Sequence, residues 1–255
     1  MNRPRLTWLI ATAALGMLAT ATPAYAVDEA LRDHRSEGHA VYRSNQHGAV
    51  ELRFGPYRPD IDSEFGGAAT PFEDIYGPGE TGMFGIEGDW QALRIPHFGT
   101  FGPGVQFSFA TFSAFSLLES DPTQRSAQPT NMWFLPMSLL AVLRVDVLDK
   151  EFHVPLVPYV KFGGTMTLWE ATNGIGASVV GDVAGQGIST GLTGAAGLMI
   201  SLNPIAPQAA IDMDNSTGVN SAYLFGEWVV SRVSSFDQGL ETGDSTWQVG
   251  VTLEF

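Results

Sequence analysis

The chain has 255 residues, of which 44% are hydrophobic and 16% are charged, and its formal net charge is −14. The charged fraction is well below the roughly 25% of ordinary soluble domains. The excess of acid argues against nucleic acid as a partner and against a patch that binds anionic lipid. The absence of cysteine excludes disulfides, thiol nucleophiles and thiolate metal sites.

The N-terminus has the parts of a secretory signal peptide. Arg3 and Arg5 supply a positive region, an apolar run follows, and an A-x-A cleavage motif ends at Ala26. We expect residues 1–26 to be cleaved on export through the inner membrane; a retained membrane anchor is the alternative. Their removal takes away two arginines and no acid, so the formal charge falls from −14 to −16. The polar residues 27–47 are predicted to form a loose periplasmic arm.

The remainder of the chain contains eight segments of alternating apolar and polar residues, separated by turn residues. This pattern is typical of membrane-spanning β-barrels, and no segment offers the 18 uncharged apolar residues of a membrane helix. Aromatic residues near several predicted strand ends suit interfacial girdles. The predicted strands cover residues 48–57, 82–94, 101–116, 132–147, 156–169, 190–202, 219–232 and 247–255.

The links between these segments alternate in length. Those predicted at 58–81, 117–131, 170–189 and 233–245 are long, and those at 95–100 and 148–155 are short. Bacterial barrels have long outer loops and short periplasmic turns. The link 203–218 is the exception: Asn203 is a predicted cap, and Pro204 and Pro207 fit a first helical turn.

Residues 48–255 are therefore predicted to form a single eight-stranded, antiparallel, up-and-down transmembrane β-barrel with one short periplasmic helix. An even strand number places both termini in the periplasm.

The last predicted strand ends in an aromatic residue and has one wholly apolar face. A terminal phenylalanine resembles the signal by which the barrel assembly machinery of Gram-negative bacteria recognises its substrates. We therefore expect that machinery and periplasmic chaperones as partners. The predicted assembly signal consists of Trp247, Val249, Val251, Leu253 and Phe255.

The polar faces of the strands carry charges that would point into the lumen. Isolated charges are costly to bury, so they should be paired and hydrogen-bonded. A lumen packed with charged pairs is the first interpretation, and a narrow pore or proton path is the second. The predicted network consists of Glu51, Arg53, Glu87, Asp89, Arg144, Asp146, Lys161, Glu227 and Glu254.

No catalytic site or cofactor is predicted. Residues 187–191 match the G-x-S-x-G nucleophile motif in letters, but that motif needs a strand–turn–helix and a downstream histidine, and the last histidine is His153. In the acidic link 58–81, Asp60, Asp62 and Glu64 are weak candidates for Ca²⁺ or Mg²⁺. A solvated acidic loop is the alternative.

Two stretches resemble a known family. They are VELRFGPYRPDIDSEFG, residues 50–66, and NSAYLFGEW, residues 220–228. With the terminal Phe255, they are similar to small outer-membrane β-barrel proteins of myxobacterial-type Gram-negative bacteria, a family whose activity is uncharacterised. The resemblance implies a barrel in the outer membrane and supplies no catalytic residues.

These observations predict a non-enzymatic outer-membrane barrel with a structural or surface-interaction role. Its expected surroundings are outer-membrane lipid and lipopolysaccharide, and no oligomeric state follows from the sequence. A narrow, porin-like passive channel is one alternative. A soluble lipocalin-like binder, whose apolar face would point inward to a ligand, is another. A lipid-modifying enzyme is disfavoured because no histidine falls in a predicted outer loop.

Overall fold

The structure is a computed structural model that describes residues 47–118, 121–173, 176–177, 179–180, 183–235 and 239–255, with the side chains of 116–128 and 173–184 outside this description. The predicted signal peptide and all of the predicted arm except His47 lie outside the described residues.

Eight strands pair in sequence order, each antiparallel to the next, and the last pairs with the first. The predicted eight-stranded up-and-down barrel is confirmed. The strands are β1 (Gly48–Tyr57), β2 (Thr81–Trp90), β3 (Gly99–Leu118), β4 (Asp121–Arg144), β5 (Leu156–Asn173), β6 (Gln186–Ser201), β7 (Ser221–Arg232) and β8 (Ser245–Glu254).

The two ends of the barrel differ. The terminal end holds both described chain ends, where the Phe255 amide donates to the Gly48 carbonyl at 2.9 Å and the His47 amide donates to the Phe255 carbonyl at 2.7 Å. The opposite, loop end carries the links after β1, β3, β5 and β7. The links after β1, β5 and β7 are long, as predicted, whereas the link after β3 is not.

The predicted phase is observed along the strands: large apolar side chains cover the outer wall, and the predicted lumen charges of the strands face inward together with some apolar side chains. Phe84 and Leu139 are 66% and 65% exposed on the outer wall, whereas Glu51 and Glu87 are fully buried. Successive residues of a strand point to opposite faces, so each strand places all its alternate residues inside. This orientation is opposite to the one that a lipocalin-like binder requires.

Short helices occupy several links. They are a 3-10 helix at Ile61–Phe65 and the α-helices α1 (Pro71–Tyr76), α2 (Val147–Lys150) and α3 (Pro207–Thr217). Within the described part of the chain, no helix combines the length and the apolar character needed to cross a membrane.

Helix α3 matches the helix predicted in link 203–218, but its N-cap is Ala206, not Asn203. The Asn203 amide instead donates to the Asn220 carbonyl and to the Ser221 hydroxyl, both at 3.1 Å. This residue therefore ties the link to the start of β7.

Two predicted links are wrong in extent. Strands β3 and β4 continue through most of residues 117–131 and leave only 119–120 between them. In the predicted link 170–189, β5 runs on to Asn173 and β6 begins at Gln186, with short strands at Gly176–Ala177, Val179–Val180 and Val183–Ala184. Polar residues in these segments predict loops, but antiparallel pairing is made by backbone hydrogen bonds and does not require an apolar face.

The predicted second strand, 82–94, is also interrupted. It ends at Trp90, and a separate strand, Leu93–Ile95, pairs with the start of β3. The backbone amide of Gln91 donates instead to the His47 carbonyl at 2.9 Å.

Candidate functional site

The lumen contains a buried ionic cluster near the terminal end. Six strands contribute to it, since β1 and β2 each supply two residues and β4, β5, β7 and β8 one each. We call it the charge layer, and it consists of Glu51, Arg53, Glu87, Asp89, Arg144, Lys161, Glu227 and Glu254. These are eight of the nine residues that the alternation predicted to face the lumen.

Arg53 joins three carboxylates. Its Nη2 lies 2.5 Å from Glu51 Oε2 and 2.5 Å from Glu87 Oε2. Its Nη1 lies 2.8 Å from Glu227 Oε1 and also donates to Gln106 Oε1 at 3.2 Å. One guanidinium therefore connects strands β1, β2, β3 and β7 across the lumen.

Glu51 is the centre of the charge layer because all three cations contact it. Arg144 Nη2 lies 2.8 Å from Glu51 and 2.6 Å from Asp89. Lys161 Nζ lies 2.6 Å from Glu51 and 2.9 Å from Glu87. A fully buried carboxylate is stable in this position because cations surround it.

Neutral donors complete the cluster, in which five carboxylates face three cations. The Tyr159 hydroxyl donates to Glu227 at 2.9 Å. The Tyr223 hydroxyl donates to Glu254 at 3.1 Å, and the side-chain amide of Gln91 donates to Glu254 at 2.9 Å. These three donors are not part of the predicted network. Their only sequence signal was their inward phase or their place beside a strand end.

Asp146, the ninth predicted lumen residue, is buried but lies outside the charge layer. It pairs with Arg94 at 2.7 Å and with Lys150 at 2.9 Å. It follows the end of β4 by two residues, so it reaches the rim of the terminal end, where residues of two links meet it.

Among the described residues, one trio of carboxylates has the spacing of a metal site: Glu51, Glu87 and Asp89, with ligand atoms within 4.8 Å of one another. Arg53, Arg144 and Lys161 already pair with these carboxylates. Basic side chains therefore supply the positive charge there.

The three weak metal candidates in the acidic link do not form such a group in the described part of the chain. Asp62 accepts hydrogen bonds from the amides of Phe72 and Glu73 at 2.8 Å and 3.1 Å. Glu64 accepts one from the Glu241 amide, and the Asp60 amide donates to the Gly243 carbonyl at 3.0 Å. Two of these carboxylates thus hold the link in place.

An apolar cluster fills the loop end of the lumen. Phe72, from α1, packs edge-on against Phe112 with ring centroids 4.9 Å apart, and Phe112 packs edge-on against Phe134 at 6.1 Å. We call this cluster the plug, and it consists of Tyr57, Ile61, Phe72, Met83, Ala110, Phe112, Met132 and Phe134. The link after β1 is therefore folded into the barrel mouth and is not simply a solvated acidic loop.

Arg58 forms ion pairs with two acidic residues of the same link. Its guanidinium lies 2.8 Å from Glu73 and 3.3 Å from Asp62. Tyr76, at the end of α1, packs beside the plug, and burial raises the pKa of its hydroxyl to about 12. The acidic residues of the link thus position an apolar insert.

An open cleft of about 1440 Å³ lies at the loop end between the links 58–80 and 233–244. We call it the outer cleft. Its charged lining has six acids and two arginines: Asp60, Asp62, Glu64, Glu80, Glu241, Asp244, Arg58 and Arg232. Burial raises the pKa of the Asp244 carboxyl above its ordinary value.

The residues of the predicted assembly signal lie on the outer wall of β8 and at its end. Trp247, Val249, Val251 and Phe255 are exposed and Leu253 is partly exposed. Their role in assembly stays a prediction.

No protein-family model matches this chain, and no curated protein matches it. Several solved structures are similar. Ail, the attachment invasion locus protein of Yersinia pestis, solved with the heparin analogue sucrose octasulfate, is 11% identical over 84% of this chain and 100% of its own, with a TM-score of 0.41. The outer membrane protein OprG of Pseudomonas aeruginosa is 10% identical over 84% of this chain and 98% of its own, with a TM-score of 0.45.

The N-terminal β-barrel domain of Pseudomonas aeruginosa OprF is 13% identical over 83% of this chain and 100% of that domain, with a TM-score of 0.36. Likeness of this extent says nothing about what this chain binds. The resemblance to a myxobacterial-type family also stays a prediction.

Proposed function

We propose that this protein is an outer-membrane β-barrel with a closed lumen and a structural or surface-interaction role. The observation that carries the proposal is the distribution of polarity: large apolar side chains cover the outer wall, and eight charged side chains are buried inside the barrel. In water this arrangement would expose an apolar surface far larger than soluble monomers tolerate. In a bilayer the same surface is solvated by lipid.

The outer wall forms a continuous apolar belt around the barrel. Full burial of one such side chain contributes about 1.5–3 kcal/mol, so the belt supplies a large driving force for insertion. Trp90 lies at the terminal end of β2, and the paired Trp228 and Trp247 lie toward the loop end. Tryptophan at both borders of an apolar belt is typical of membrane interfaces.

The closed lumen favours a structural role over a passive channel. The charge layer crosses the barrel near one end, and the plug fills it near the other. Each cation of the charge layer is held by at least two carboxylates. Ion passage would require these contacts to break, so we expect little or no conductance.

The hairpin of β3 and β4 favours a role at the surface. About 9–11 residues suffice for a tilted strand to cross the bilayer, whereas β3 has 20 residues and β4 has 24. The outward apolar residues of β4 run from Trp133 to Leu143. Residues 121–132 therefore extend beyond the belt at the loop end, where they can contact lipopolysaccharide and molecules outside the cell.

The proposal also includes export by residues 1–26 and recognition of the C-terminal strand by the barrel assembly machinery. It includes no catalytic step. The described histidines, His47, His97 and His153, lie at the terminal end, away from the outer cleft.

Electrophoretic mobility of membrane fractions in SDS, with and without boiling, tests the proposal. A closed barrel should migrate as a fast band from the outer-membrane fraction and slow on heating. A single unshifted band in the soluble fraction would overturn the membrane assignment. Planar-bilayer recordings then decide between the closed barrel and the channel, because stable single-channel steps of the purified protein would refute the closed lumen.

A further inference from the structure

A small cavity lies inside the barrel between the charge layer and the plug. Its volume is about 40 Å³, and we call it the middle cavity. Its lining includes Tyr57 and Met83 of the plug and Gln106, which accepts a hydrogen bond from Arg53 of the charge layer. The middle cavity is therefore enclosed by the two features that close the lumen.

Hydroxyl and amide groups line most of the middle cavity. Some bond to one another: Thr165 Oγ1 lies 2.8 Å from Ser138 Oγ and 2.6 Å from Thr193 Oγ1. Thr167 Oγ1 and Gln248 Oε1 have no hydrogen-bond partner among the described residues, although Thr167 and Gln248 are only 1% and 2% exposed. A buried oxygen without a partner is unfavourable, so these two atoms require one.

The size and chemistry of the middle cavity fit water. One buried water needs about 10–15 Å³ of such space, so about two or three could be held. Water can donate to Gln248 Oε1 and can either donate to or accept from Thr167 Oγ1. An apolar guest would leave both oxygens unpaired.

The middle cavity adjoins the outer cleft. Ser231 and Asp244 line both of them. These two residues are joined by a bond from the Asp244 amide to Ser231 Oγ at 2.9 Å, and the Asp244 carboxylate accepts from the Arg58 amide at 3.1 Å. The residues shared by cavity and cleft are thus polar, whereas those of the plug are apolar.

We infer that the middle cavity is a water-binding chamber that exchanges its water with external solvent past Ser231 and Asp244, and that the charge layer seals it toward the terminal end. The barrel would then be closed to ions yet hydrated to half its depth from the loop end. This inference concerns the lumen alone, so it can fail while the proposed membrane location and surface role hold.

Two native methionines allow a test without any substitution. Met83 lines the middle cavity, whereas Met199 is fully buried in a separate cluster with Val157, Tyr159, Tyr223 and Phe225. Hydroxyl radicals made by pulsed radiolysis of water oxidise methionine beside a bound water. Mass spectrometry of the refolded full chain should show Met83 sulfoxide forming on the order of tenfold faster than Met199 sulfoxide. Equal, slow oxidation of both would show a dry cavity and overturn the inference.

Mixing with H₂¹⁸O before the pulse tests exchange. Rapid appearance of ¹⁸O in Met83 sulfoxide is expected, and its absence would mean trapped water and refute the opening to the cleft. Ser231→Phe should slow that exchange, and Ser113→Phe, on the outer wall, is the matched control. Exchange unchanged in a Ser231→Phe barrel that keeps its heat shift would overturn the assigned route. If that variant does not fold, Asp244→Leu, at the other residue shared by cavity and cleft, should slow the exchange instead.

Discussion

Replacing Arg53 by methionine should destabilise the barrel strongly. The change keeps an unbranched stem but removes the guanidinium and its contacts at 2.5, 2.5 and 2.8 Å with Glu51, Glu87 and Glu227. Removing one partner of a buried ion pair costs about 3–5 kcal/mol because the other charge stays buried without compensation. Lys161 remains within 2.6 and 2.9 Å of Glu51 and Glu87, so we expect Glu227 to be affected most.

The matched control is Arg94→Met at the rim. The Arg94 side chain is 46% exposed and contacts Asp146 at 2.7 Å. Arg94 stays in contact with solvent, and Asp146 keeps Lys150 at 2.9 Å, so we expect a cost of about 1 kcal/mol or less. Both variants would be unfolded in urea from lipid vesicles, with the fluorescence of the five tryptophans of residues 27–255 as the signal. A cost for Arg53→Met no greater than that for Arg94→Met would refute the view that buried charge pairing holds the lumen.

A second substitution tests the cause of the effect. Glu227→Gln removes the carboxylate charge that Arg53→Met leaves behind, and its amide oxygen can still accept from the Tyr159 hydroxyl, 2.9 Å away in the parent protein. The double variant should therefore be more stable than Arg53→Met alone. If it is less stable, the cost of Arg53→Met arises from lost packing and not from uncompensated charge.

The remaining predictions concern the plug, the belt and the outer cleft. Phe72→Ala should lower the free energy of unfolding by about 3–5 kcal/mol and speed proteolysis of link 58–80. Phe65 is 45% exposed, so Phe65→Ala should do neither. Equal rates of cleavage in the two variants would contradict the packing of Phe72 in the plug. Phe84→Arg on the belt should lower the free energy of unfolding in vesicles by about 2–4 kcal/mol. Phe65→Arg, outside the belt, should leave it nearly unchanged. Folded Asp244 binds its proton at a higher pH than the unfolded chain because burial raises its pKa. Acidification from neutral pH should therefore stabilise the parent protein relative to Asp244→Asn, and a pH-independent difference in urea midpoint would contradict this.

The sequence was sufficient to predict the barrel, its eight strands and the face on which the charged strand residues lie. The reason is that inside and outside differ chemically at almost every step of a strand, as Glu51, Leu52, Arg53 and Phe54 illustrate. A shift of one residue would reverse these faces. The alternation therefore indicates which residues share a face even when the partner strand is not known.

The features that the sequence did not predict depend on contacts between distant residues. Phe72 lies among acids, and nothing local shows that it packs against Phe112, which is forty positions later. The carboxyl of Glu254 is satisfied by Tyr223 and Gln91, from two other parts of the chain. The ends of β3 and β4 are also not predicted, because a hairpin can pair polar residues that resemble a loop.

The charge layer has a further consequence for how the strands pair. A buried ion pair is often no more stabilising than apolar residues of the same size, so net stability does not account for three cations in the lumen. A one-residue slip of β1 would turn Glu51 and Arg53 toward the outer wall and Phe54 toward the lumen. In the proposed membrane location, an arginine at the middle of the bilayer costs about 2–4 kcal/mol. Glu87 and Glu227 would also lose the guanidinium that they share. Because one guanidinium joins β1, β2 and β7, the correct registers of these strands support one another, and the charge layer specifies one closed barrel among the alternatives.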